Sequence, residues 1–279
     1  MRRILHLSDL HYGRDLPELE APLLETIHQL APDLVAISGD FTQRARVWQF
    51  DRARAFLDRL GPDMLAVPGN HDTPLDNLWI RLVRPWARYR AAIAAELEPV
   101  HRDDEMVVAG VNTVNRFAWQ RGRFSGHTAD RICRAFADAG DRLKVAVLHH
   151  PLEHGPDETK RLMRGAGPAL ARLRACGTDI VLSGHLHSTV IAPFSAAPGI
   201  LFVQAGTGLS GRLRGESNMF NLVDADPDRI TITPYEAKGV RFVPAEPVRF
   251  RRDGTEWRRT RSAPARAASL RRDLATAPS

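Results

Sequence analysis

A single pattern recurs five times along the first two thirds of the chain. A short apolar run is followed at once by a cluster of Gly, Asp, Asn or His, and then by an amphipathic stretch with helical spacing. Such runs are too short for helices, and their lack of polar alternation is typical of strands that are covered on both faces. Alternating buried strands and helices predict a layered α/β fold. The five runs are 4–8, 34–38, 64–68, 144–148 and 179–183.

The predicted helices lie between these strands, and three of them end at a glycine. Gly61, Gly140 and Gly177 follow amphipathic stretches, at the position that a helix C-terminal cap favours. These glycines therefore support the alternation of strands and helices. The predicted helices cover residues 18–30, 45–60, 75–97, 128–139 and 168–176.

Beyond His187 the pattern changes to strands separated by turns, which predicts that the sheet ends as an antiparallel meander. The predicted strands cover 189–193, 200–205, 220–224 and 229–236. A hairpin is predicted over 248–259, around the turn at Asp253 and Gly254. We therefore expect a main domain over 1–248, a basic β-hairpin extension over 249–261, and a disordered tail rich in arginine and alanine over 262–279.

The net charge of +6 is concentrated near the end of the chain. Residues 249–279 contain nine arginines and three acidic residues, so the other 248 residues are neutral overall. A protein that binds long nucleic acids normally carries a basic excess on its core, and we therefore expect no such partner. Clusters of arginine attract anionic membrane surfaces, so the tail predicts at most a weak membrane contact. The sequence does not indicate an oligomeric state.

Two further features bear on the location of the protein. No apolar run approaches the ~20 residues that a membrane helix needs. The apolar stretch near the N-terminus is interrupted by His6, Ser8 and Asp9, which excludes a signal-peptide core, and a cytoplasmic location is predicted.

Cys133 and Cys176 lie in predicted helices, far apart and without metal-ligand spacing, so we expect two reduced thiols.

Polar clusters follow all five predicted strands, at the ends where open α/β sheets bind their ligands. Any one of them could be a turn or a surface pair, but six of the eleven histidines fall in these five clusters, which favours a shared site. Oxygen donors mixed with imidazole suit manganese, iron or zinc, and the absence of cysteine argues against a structural zinc site. The clusters are Asp9-Leu10-His11, Gly39-Asp40, Gly69-Asn70-His71-Asp72, His149-His150 and Gly184-His185-Leu186-His187.

In order and in residue type, these clusters resemble the motifs of the calcineurin-like metallophosphoesterases: Asp-x-His, Gly-Asp, Gly-Asn-His-Asp, a histidine after a strand, and Gly-His-x-His. The match runs across residues 9–187. The resemblance implies a four-layer αββα sandwich of mixed β-sheets, with the strands after His187 forming the second sheet. It also implies a hydrolase with two divalent metal ions (Mn, Fe or Zn) and a catalytic domain over 1–248.

The resemblance implies a role for each matched residue. Asp40 would bridge the two ions, one of which is also held by Asp9, His11 and His187, and the other by Asn70, His149 and His185. His71 would bind no metal and would contact the phosphoryl oxygen or protonate the leaving group, with Asp72 orienting it. His150 would lie near the substrate. Independently of the resemblance, Arg212 or Arg214, in the loop after the glycine-rich stretch, is a candidate contact for an anionic substrate.

Two features depart from the family's protein phosphatases. Those enzymes carry Asp-Arg after Gly-Asp, whereas no such pair occurs from Gly39 to Arg44. They also end the third motif in glutamate, whereas this chain has Asp72. Together with His149-His150-Pro151, these two features resemble the bacterial class III cyclic nucleotide phosphodiesterases. Two divalent ions, two carboxylates and a bridging hydroxide leave a small positive charge, which suits a phosphodiester monoanion. The resemblance therefore implies a phosphodiesterase that acts on small diesters such as cyclic nucleotides.

Two other functions stay open at the level of sequence. The basic C-terminal region favours a pyrophosphohydrolase of a nucleotide-linked lipid at the membrane surface, although the tail lacks an amphipathic helix. A non-catalytic scaffold would be expected to have lost ligands, whereas every ligand position is filled. The glycine pattern at 206–211 matches a dinucleotide-binding motif, but the polar, glycine-broken stretch behind it does not begin a helix, so we predict a loop beside the metal site.

Overall fold

Two β-sheets and six helices make up the computed structural model, which describes residues 1–155 and 158–260. The helices are α1 (Glu20–Leu30), α2 (Val47–Leu57), α3 (Leu78–Val83), α4 (Ala87–Ala92), α5 (Gly126–Phe136) and α6 (Ala166–Ala175). The strands are β1 (Arg2–Leu7), β2 (Leu34–Ile37), β3 (Met64–Ala66), β4 (Val100–Arg102), β5 (Met106–Val111), β6 (Leu143–Leu148), β7 (Ile180–Ser183), β8 (Val190–Phe194), β9 (Ala197–Gln204), β10 (Met219–Ala225), β11 (Arg229–Lys238), β12 (Arg241–Pro244), β13 (Val248–Asp253) and β14 (Glu256–Thr260).

Each sheet contains a block of parallel strands whose carboxyl ends meet at one edge. The first sheet has the order β14-β13-β11-β10-β1-β2-β3, and β12 also pairs with β11. The second has the order β4-β5-β6-β7-β9-β8. Strands β1 to β3 are parallel to one another, as are β5, β6, β7 and β9. The polar clusters that follow these strands are therefore brought to the same side of the molecule.

Alternation along the strands divides the apolar residues among three cores. Ile4 and Ala36 point into the space between the sheets, where they meet Val145 and Leu182. The next residue along β1, Leu5, points to the opposite face, as the two-residue period of a strand requires. Burial of each such side chain contributes about 1.5–3 kcal/mol.

The two outer cores place helices on the free faces of the sheets. One joins β1 and β2 to α1 and α2, and the other joins β5 and β6 to α5 and α6. Three cores separate four layers, so the predicted four-layer αββα sandwich of mixed sheets is confirmed. Buried members of the first outer core include Leu7, Leu23, Ile27, Val35 and Phe50. Those of the second include Ala109, Ile132, Phe136, Leu148 and Leu173.

The predicted antiparallel strands after His187 are confirmed, but their assignment to a single second sheet is wrong. The second sheet is built mainly from β5, β6 and β7, which precede that residue. Of the later strands, β8 and β9 join the second sheet, whereas β10 crosses to the first and pairs antiparallel with β1. Burial explains the split: β10 is buried almost throughout and needs a central position, while β8 is half-buried and contains Pro193, which an edge strand tolerates.

Two other predictions within the core need correction. The apolar run Met106–Val111 forms the buried strand β5, which the sequence analysis did not identify. The predicted helix over 75–97 is two short helices, α3 and α4. Pro85 lies between them, where its ring and its missing amide hydrogen interrupt a helix.

The predicted hairpin is formed by β13 and β14, with Asp253 paired to Glu256 across the turn. It is continuous with the first sheet through β11, and Phe250 and Trp257 are buried between the two sheets. The division into separate units over 1–248 and 249–261 stays a prediction. The predicted disordered tail lies outside the described residues. Within the described residues, no helix combines the length and apolar character that crossing a bilayer requires.

The expectation of two reduced cysteines is also wrong, because Cys133 and Cys176 form a disulfide. Helices α5 and α6 pack side by side on the second sheet and bring the two Cα atoms to 5.3 Å, within the range of a disulfide. Spacing along the sequence could not reveal this pairing, because it results from helix packing. Disulfides persist mainly in oxidising compartments, so the cytoplasmic location stays a prediction that needs its own test.

Replacement of Cys133 by serine should lower the free energy of unfolding by about 2–4 kcal/mol, because the disulfide closes a loop of 43 residues in the unfolded chain. The measurement is urea unfolding with and without a reductant. The reductant should destabilise the natural chain to the level of the variant and leave the variant unchanged. Equal stability of the two proteins without reductant would contradict the pairing.

Candidate metal centre

Five strand ends deliver the predicted ligands to one buried cluster. Asp9 and His11 follow β1, Asp40 follows β2, and a short 3₁₀ turn (Asn70–Asp72) follows β3. The other ligands follow strands of the second sheet, with His149 after β6 and with His185 and His187 after β7. Both sheets therefore contribute, and the cluster lies where their carboxyl edges meet. Groups of ligand atoms within 4.8 Å of one another include Asp9 with His11 and His187, and Asp9 with Asp40 and His149.

The backbone at these positions adopts a conformation that side-chain-bearing residues rarely take. Asp9, His11, Asp40, His185 and His187 have φ angles between 50° and 75°. They make up five of the seven non-glycine residues with positive φ in the part of the chain that the structure describes. Backbone of this kind costs about 1–3 kcal/mol per residue and is concentrated at functional sites. The strained backbone at these positions directs the ligand side chains inward, at a cost in the stability of the loops.

Glycines beside the ligands allow the loops to approach closely. A Cβ atom at Gly69 would lie 2.1 Å from Asp40 Oδ1, and one at Gly184 would lie 1.8 Å from Ser8 Oγ and 2.5 Å from Asp9 Oδ2. No side chain fits at either position. The glycines of these two motifs are therefore needed for packing around the aspartates rather than for turns alone.

The first ligand group consists of Asp9, His11 and His187. Asp9 Oδ1 lies 3.3 Å from His11 Nε2 and 3.1 Å from His187 Nε2, and the two imidazole nitrogens are 3.1 Å apart. Backbone and side-chain contacts fix the orientation of two of these residues. Ser8 Oγ donates to Asp9 Oδ2 at 2.6 Å, and His187 Nδ1 donates to the carbonyl oxygen of Arg212 at 2.9 Å. Asp9 Oδ1 and the Nε2 atoms of His11 and His187 therefore face one another.

The second ligand group consists of Asp40, Asn70, His149 and His185. His149 Nε2 lies 3.3 Å from Asp40 Oδ2, 3.1 Å from Asn70 Oδ1 and 3.3 Å from His185 Nδ1. Its other nitrogen, Nδ1, donates to the carbonyl oxygen of Ser38 at 2.8 Å, which fixes the tautomer. Four potential metal-ligand atoms thus converge on one point.

The ligand atoms of both groups are of the types that bind divalent cations. Asp9 Oδ1 is buried and has no hydrogen-bond partner among the described residues, although a buried carboxylate oxygen is costly without one. Carboxylate oxygens, an amide oxygen and imidazole nitrogens are the ligand types that manganese, iron and zinc share. The first ligand group and the second could each hold one ion, with Asp40 reaching both.

The pKa values in the cluster reflect ion pairing between its carboxylates and two of its imidazoles. Burial alone would raise the pKa of Asp9, but His187 and His11 lower it well below its usual range. Asp40 behaves in the same way beside His149. Burial alone would lower the pKa of His149, but the nearby Asp40 raises it to about 9. Without a cation, Asp9 and Asp40 thus stay ionised and His149 takes up a proton, whereas burial lowers the pKa of His185 well below its ordinary value.

Metal binding should therefore release protons and strengthen as the pH rises. At neutral pH the pKa of about 9 keeps His149 protonated in the metal-free protein, and a cation must displace that proton. The affinity should rise about tenfold per pH unit between about pH 6 and pH 8, with about one proton released per ion bound at this histidine. Titration calorimetry of Mn²⁺ in buffers of different ionisation enthalpy measures this release. A pH-independent affinity would contradict the assignment of His149.

His71 and Asp72 do not interact as predicted. His71 Nδ1 donates to the carbonyl oxygen of Gln43 at 2.7 Å, and no hydrogen bond joins it to Asp72 among the described residues. The Asp72 carboxylate instead accepts from the amides of Gly69, Phe41 and Thr42 and from the Thr42 hydroxyl. The prediction that Asp72 orients His71 is wrong, because the 3₁₀ turn points the two side chains in different directions. Asp72 instead ties the Asp40 loop to the Asn70 turn.

The two remaining predicted residues border the cluster. Both ring nitrogens of His150 are engaged, Nδ1 with Thr113 Oγ1 at 2.8 Å and Nε2 with the carbonyl oxygen of Gln120 at 2.9 Å. His150 therefore forms part of the wall beside His149. Arg212 is exposed, and its Nη1 lies 3.5 Å from His71 Nε2. The structure thus brings the guanidinium beside His71, and a contact between Arg212 and an anionic substrate stays a prediction.

Sequence reasoning missed a cavity of about 290 Å³ beside His150 and His185, with Lys160, Arg121 and Arg161 in its lining. The described lining contains no carboxylate. Lys160 is partly buried, and its pKa is lowered first by burial and then by Arg214. No local signal in the sequence marks this lysine, because it lies in a loop that only the fold brings to the cluster.

Comparison with known proteins agrees with this geometry. The sandwich and its histidine–carboxylate cluster define the class of metal-dependent phosphoesterases. A family model described as calcineurin-like phosphoesterase matches residues 2–189, which is more than half of the chain. The chain therefore belongs to the calcineurin-like phosphoesterase family. Membership supports a hydrolase that uses divalent metal ions.

Individual relatives are more distant. A protein of Synechococcus named as a probable cyclic nucleotide phosphodiesterase is 23% identical over 177 residues, which cover 61% of this chain and 64% of the relative. A UDP-2,3-diacylglucosamine pyrophosphatase of Chlamydia trachomatis is 25% identical over 223 residues, covering 68% of this chain and 64% of the relative. The chain thus spans less than two thirds of either relative.

Among solved structures, a dimetal phosphatase from Danio rerio superposes with a TM-score of 0.64. Its sequence is 13% identical, and the match covers 87% of this chain and 98% of the other. At this identity the similarity shows the fold alone.

Proposed function

We propose that this protein is a dinuclear metal-dependent phosphodiesterase, which hydrolyses small phosphodiesters such as cyclic nucleotides. The position of Asp40 carries the proposal. Its Oδ2 lies 3.3 Å from His149 Nε2 and 3.7 Å from His11 Nε2, between the two ligand groups. A carboxylate in that position can contact two ions at once and offset their repulsion.

In this proposal Asp9, His11 and His187 would hold one ion, Asn70, His149 and His185 would hold the other, and Asp40 would be shared. When bound, the ions supply positive charge for the phosphoryl oxygens and a coordinated water whose pKa falls to about 7. The protein's own contribution is to hold seven side chains rigid before the substrate arrives.

Two side chains on the open face would act on the substrate itself. Hydrolysis joins a water oxygen to phosphorus and breaks one ester bond, and the departing oxygen then needs a proton. His71 is fixed by Gln43 and directs Nε2 outward, towards Arg212. In this proposal His71 supplies the proton, and the Arg212 guanidinium pairs with a phosphoryl oxygen.

The competing functions differ in what the relatives and the ligand set support. The name of the Synechococcus relative supports a diester substrate. The name of the Chlamydia relative supports the alternative of a pyrophosphohydrolase acting on a nucleotide-linked lipid. A scaffold without catalysis has less support, because all seven ligand side chains are present and clustered.

Manganese-loaded protein should hydrolyse bis(p-nitrophenyl) phosphate faster than the monoester p-nitrophenyl phosphate, because a small positive charge at the site suits a monoanion better than a dianion. Parallel assays with 3′,5′- and 2′,3′-cyclic nucleotides, glycerophosphodiesters and UDP-linked lipids would then identify the preferred substrate. A faster rate on the monoester, or equal rates with and without metal, would contradict the proposal.

A further inference from the structure

Exposed large apolar side chains are concentrated in segments that follow strands at the ligand-bearing edge of the two sheets. Nine of the twelve in the described part of the chain lie in four such segments, which are the beginning of α2 after β2, α3 after β3, and the loops after β5 and β9. A patch of this kind marks a surface that meets another surface. We call these nine residues the apolar rim: Val47, Trp48, Leu78, Trp79, Leu82, Val83, Phe117, Trp119 and Leu213.

The most exposed aromatic rings in the rim are Trp79 and Phe117, each 74% exposed, and Trp119, 61% exposed. Other large aromatic side chains, such as Phe50 and Trp257, are almost fully buried. The faces of the two sheets thus provide buried positions for aromatic rings elsewhere in the chain. Exposure of these three therefore reflects position at the rim rather than a lack of interior space.

Hydrogen bonds attach the apolar rim to the catalytic loops. Arg81 of α3 is only 5% exposed and donates to Thr73 Oγ1 at 2.6 Å, beside the Asn70 turn. The same guanidinium donates to the carbonyl oxygens of Arg116 and Ala118 at 2.9 and 2.8 Å. A buried arginine is stable only with such partners, so it holds α3 and the loop after β5 in fixed positions.

Positive charge accompanies the apolar side chains. The segment 112–123, which carries Phe117 and Trp119, contains three arginines and no acidic residue. Lys160 and Arg161 line the adjoining cavity, whose described lining contains no carboxylate. Tryptophan beside arginine and lysine is the composition found where proteins meet the headgroups of anionic membranes.

We infer that the apolar rim rests on an anionic phospholipid surface, so that the metal cluster opens towards the membrane. The docking surface is independent of catalysis. Its consequence for the substrate rests on the proposed function and narrows it. Docking favours a diester that belongs to an amphiphile over a cyclic nucleotide, with the headgroup at the metal cluster and the acyl chains in the bilayer. The basic C-terminal tail then adds to the contact but does not create it.

Vesicle binding by the full-length protein tests this inference. The natural chain should co-sediment with phosphatidylglycerol vesicles more strongly than with phosphatidylcholine vesicles. The triple variant Trp79→Ser, Phe117→Ser, Trp119→Ser should lose at least about tenfold in partitioning, because three interfacial aromatic anchors are removed. The matched control is Val100→Ser, an exposed apolar side chain on the edge strand β4, and it should bind like the natural chain.

Turnover of soluble bis(p-nitrophenyl) phosphate separates folding and catalysis from docking. The triple variant should retain it, because Trp79, Phe117 and Trp119 belong to neither ligand group. If that variant does not fold, quenching of the natural protein's tryptophans by lipids brominated in their acyl chains gives a second measurement, and quenching is expected. Vesicle binding without diester turnover would preserve the docking surface and reject the proposed function.

Several results would overturn the inference. One is failure of the natural chain to bind either vesicle, together with concentration-dependent dimerisation that the triple variant abolishes, which would assign the rim to a second copy of the chain. Another is equal vesicle binding by the triple variant. A third is loss of all binding when residues 262–279 are removed, which would leave the basic tail as the membrane contact.

Discussion

Asp40→Asn should reduce kcat/KM for bis(p-nitrophenyl) phosphate by about 10³-fold or more. The charge that two ions supply to this type of reaction is worth several kcal/mol, and each 1.4 kcal/mol corresponds to about tenfold in rate. Asparagine keeps the shape of the side chain and tolerates the positive φ of 56° at this position. It also keeps Oδ1, which accepts from the His71 amide at 2.8 Å. The variant therefore removes charge from the bridging position with little change in the loop.

Metal content distinguishes a bridging role from a merely structural one. Asp40→Asn should lose at least one equivalent of Mn²⁺ as measured by mass spectrometry of the elements, while far-ultraviolet circular dichroism stays unchanged. The matched control is Asp51→Asn, an exposed carboxylate on α2, which should keep both metal and rate. Full metal content and full activity in the Asp40 variant would remove Asp40 from the bridge.

The strand ends could be predicted from sequence because each depends on local residues. Buried parallel strands must be continuous apolar runs, and the polar residues that follow them must meet at one edge. That reasoning suffices to place Asp9 and Asp40 near each other before any coordinates are known. His149 follows β6 of the other sheet, and it joins them only because the carboxyl edges of the two sheets meet.

Pairing partners and side-chain directions could not be predicted in the same way. Strand β10 could join the first sheet beside β1 or the second sheet beside β9. Which of the two it joins depends on where the whole fold leaves room for another buried strand. The direction of Asp72 depends on a 3₁₀ turn of three residues, in which a small rotation decides between His71 and the Thr42 amide. Arg81 likewise has partners more than 30 residues away. Local patterns contain no information on such contacts.

The tautomer of His71 makes its role testable. Nδ1 donates to a carbonyl oxygen that cannot itself donate, so in the neutral ring Nε2 carries no proton. Burial is the main cause that lowers the pKa of His71 below its ordinary value, and His11 and Arg212 act in the same direction. A general acid must be the imidazolium. The leaving-group step should therefore weaken as the pH rises through this pKa.

His71→Ala should keep both metals and lower kcat by about 10²–10³-fold for an alkyl diester, the usual contribution of a general acid. The loss should be much smaller for a p-nitrophenyl diester, because p-nitrophenolate leaves without a proton. The decline in rate on the alkaline side should disappear in the variant. His127→Ala, at an exposed histidine in the first turn of α5, is the matched control and should change none of these values.

Equal losses on the two diesters would identify His71 as a contact to the phosphoryl oxygen, because such a contact is indifferent to the leaving group. Loss of a metal ion would identify it as a ligand, a possibility raised by its proximity to His11 and Asp40. The three outcomes are separable because the imidazole has a single free nitrogen. Nε2 can donate a proton, pair with the phosphoryl group or bind a cation, but it can do only one of these at a time.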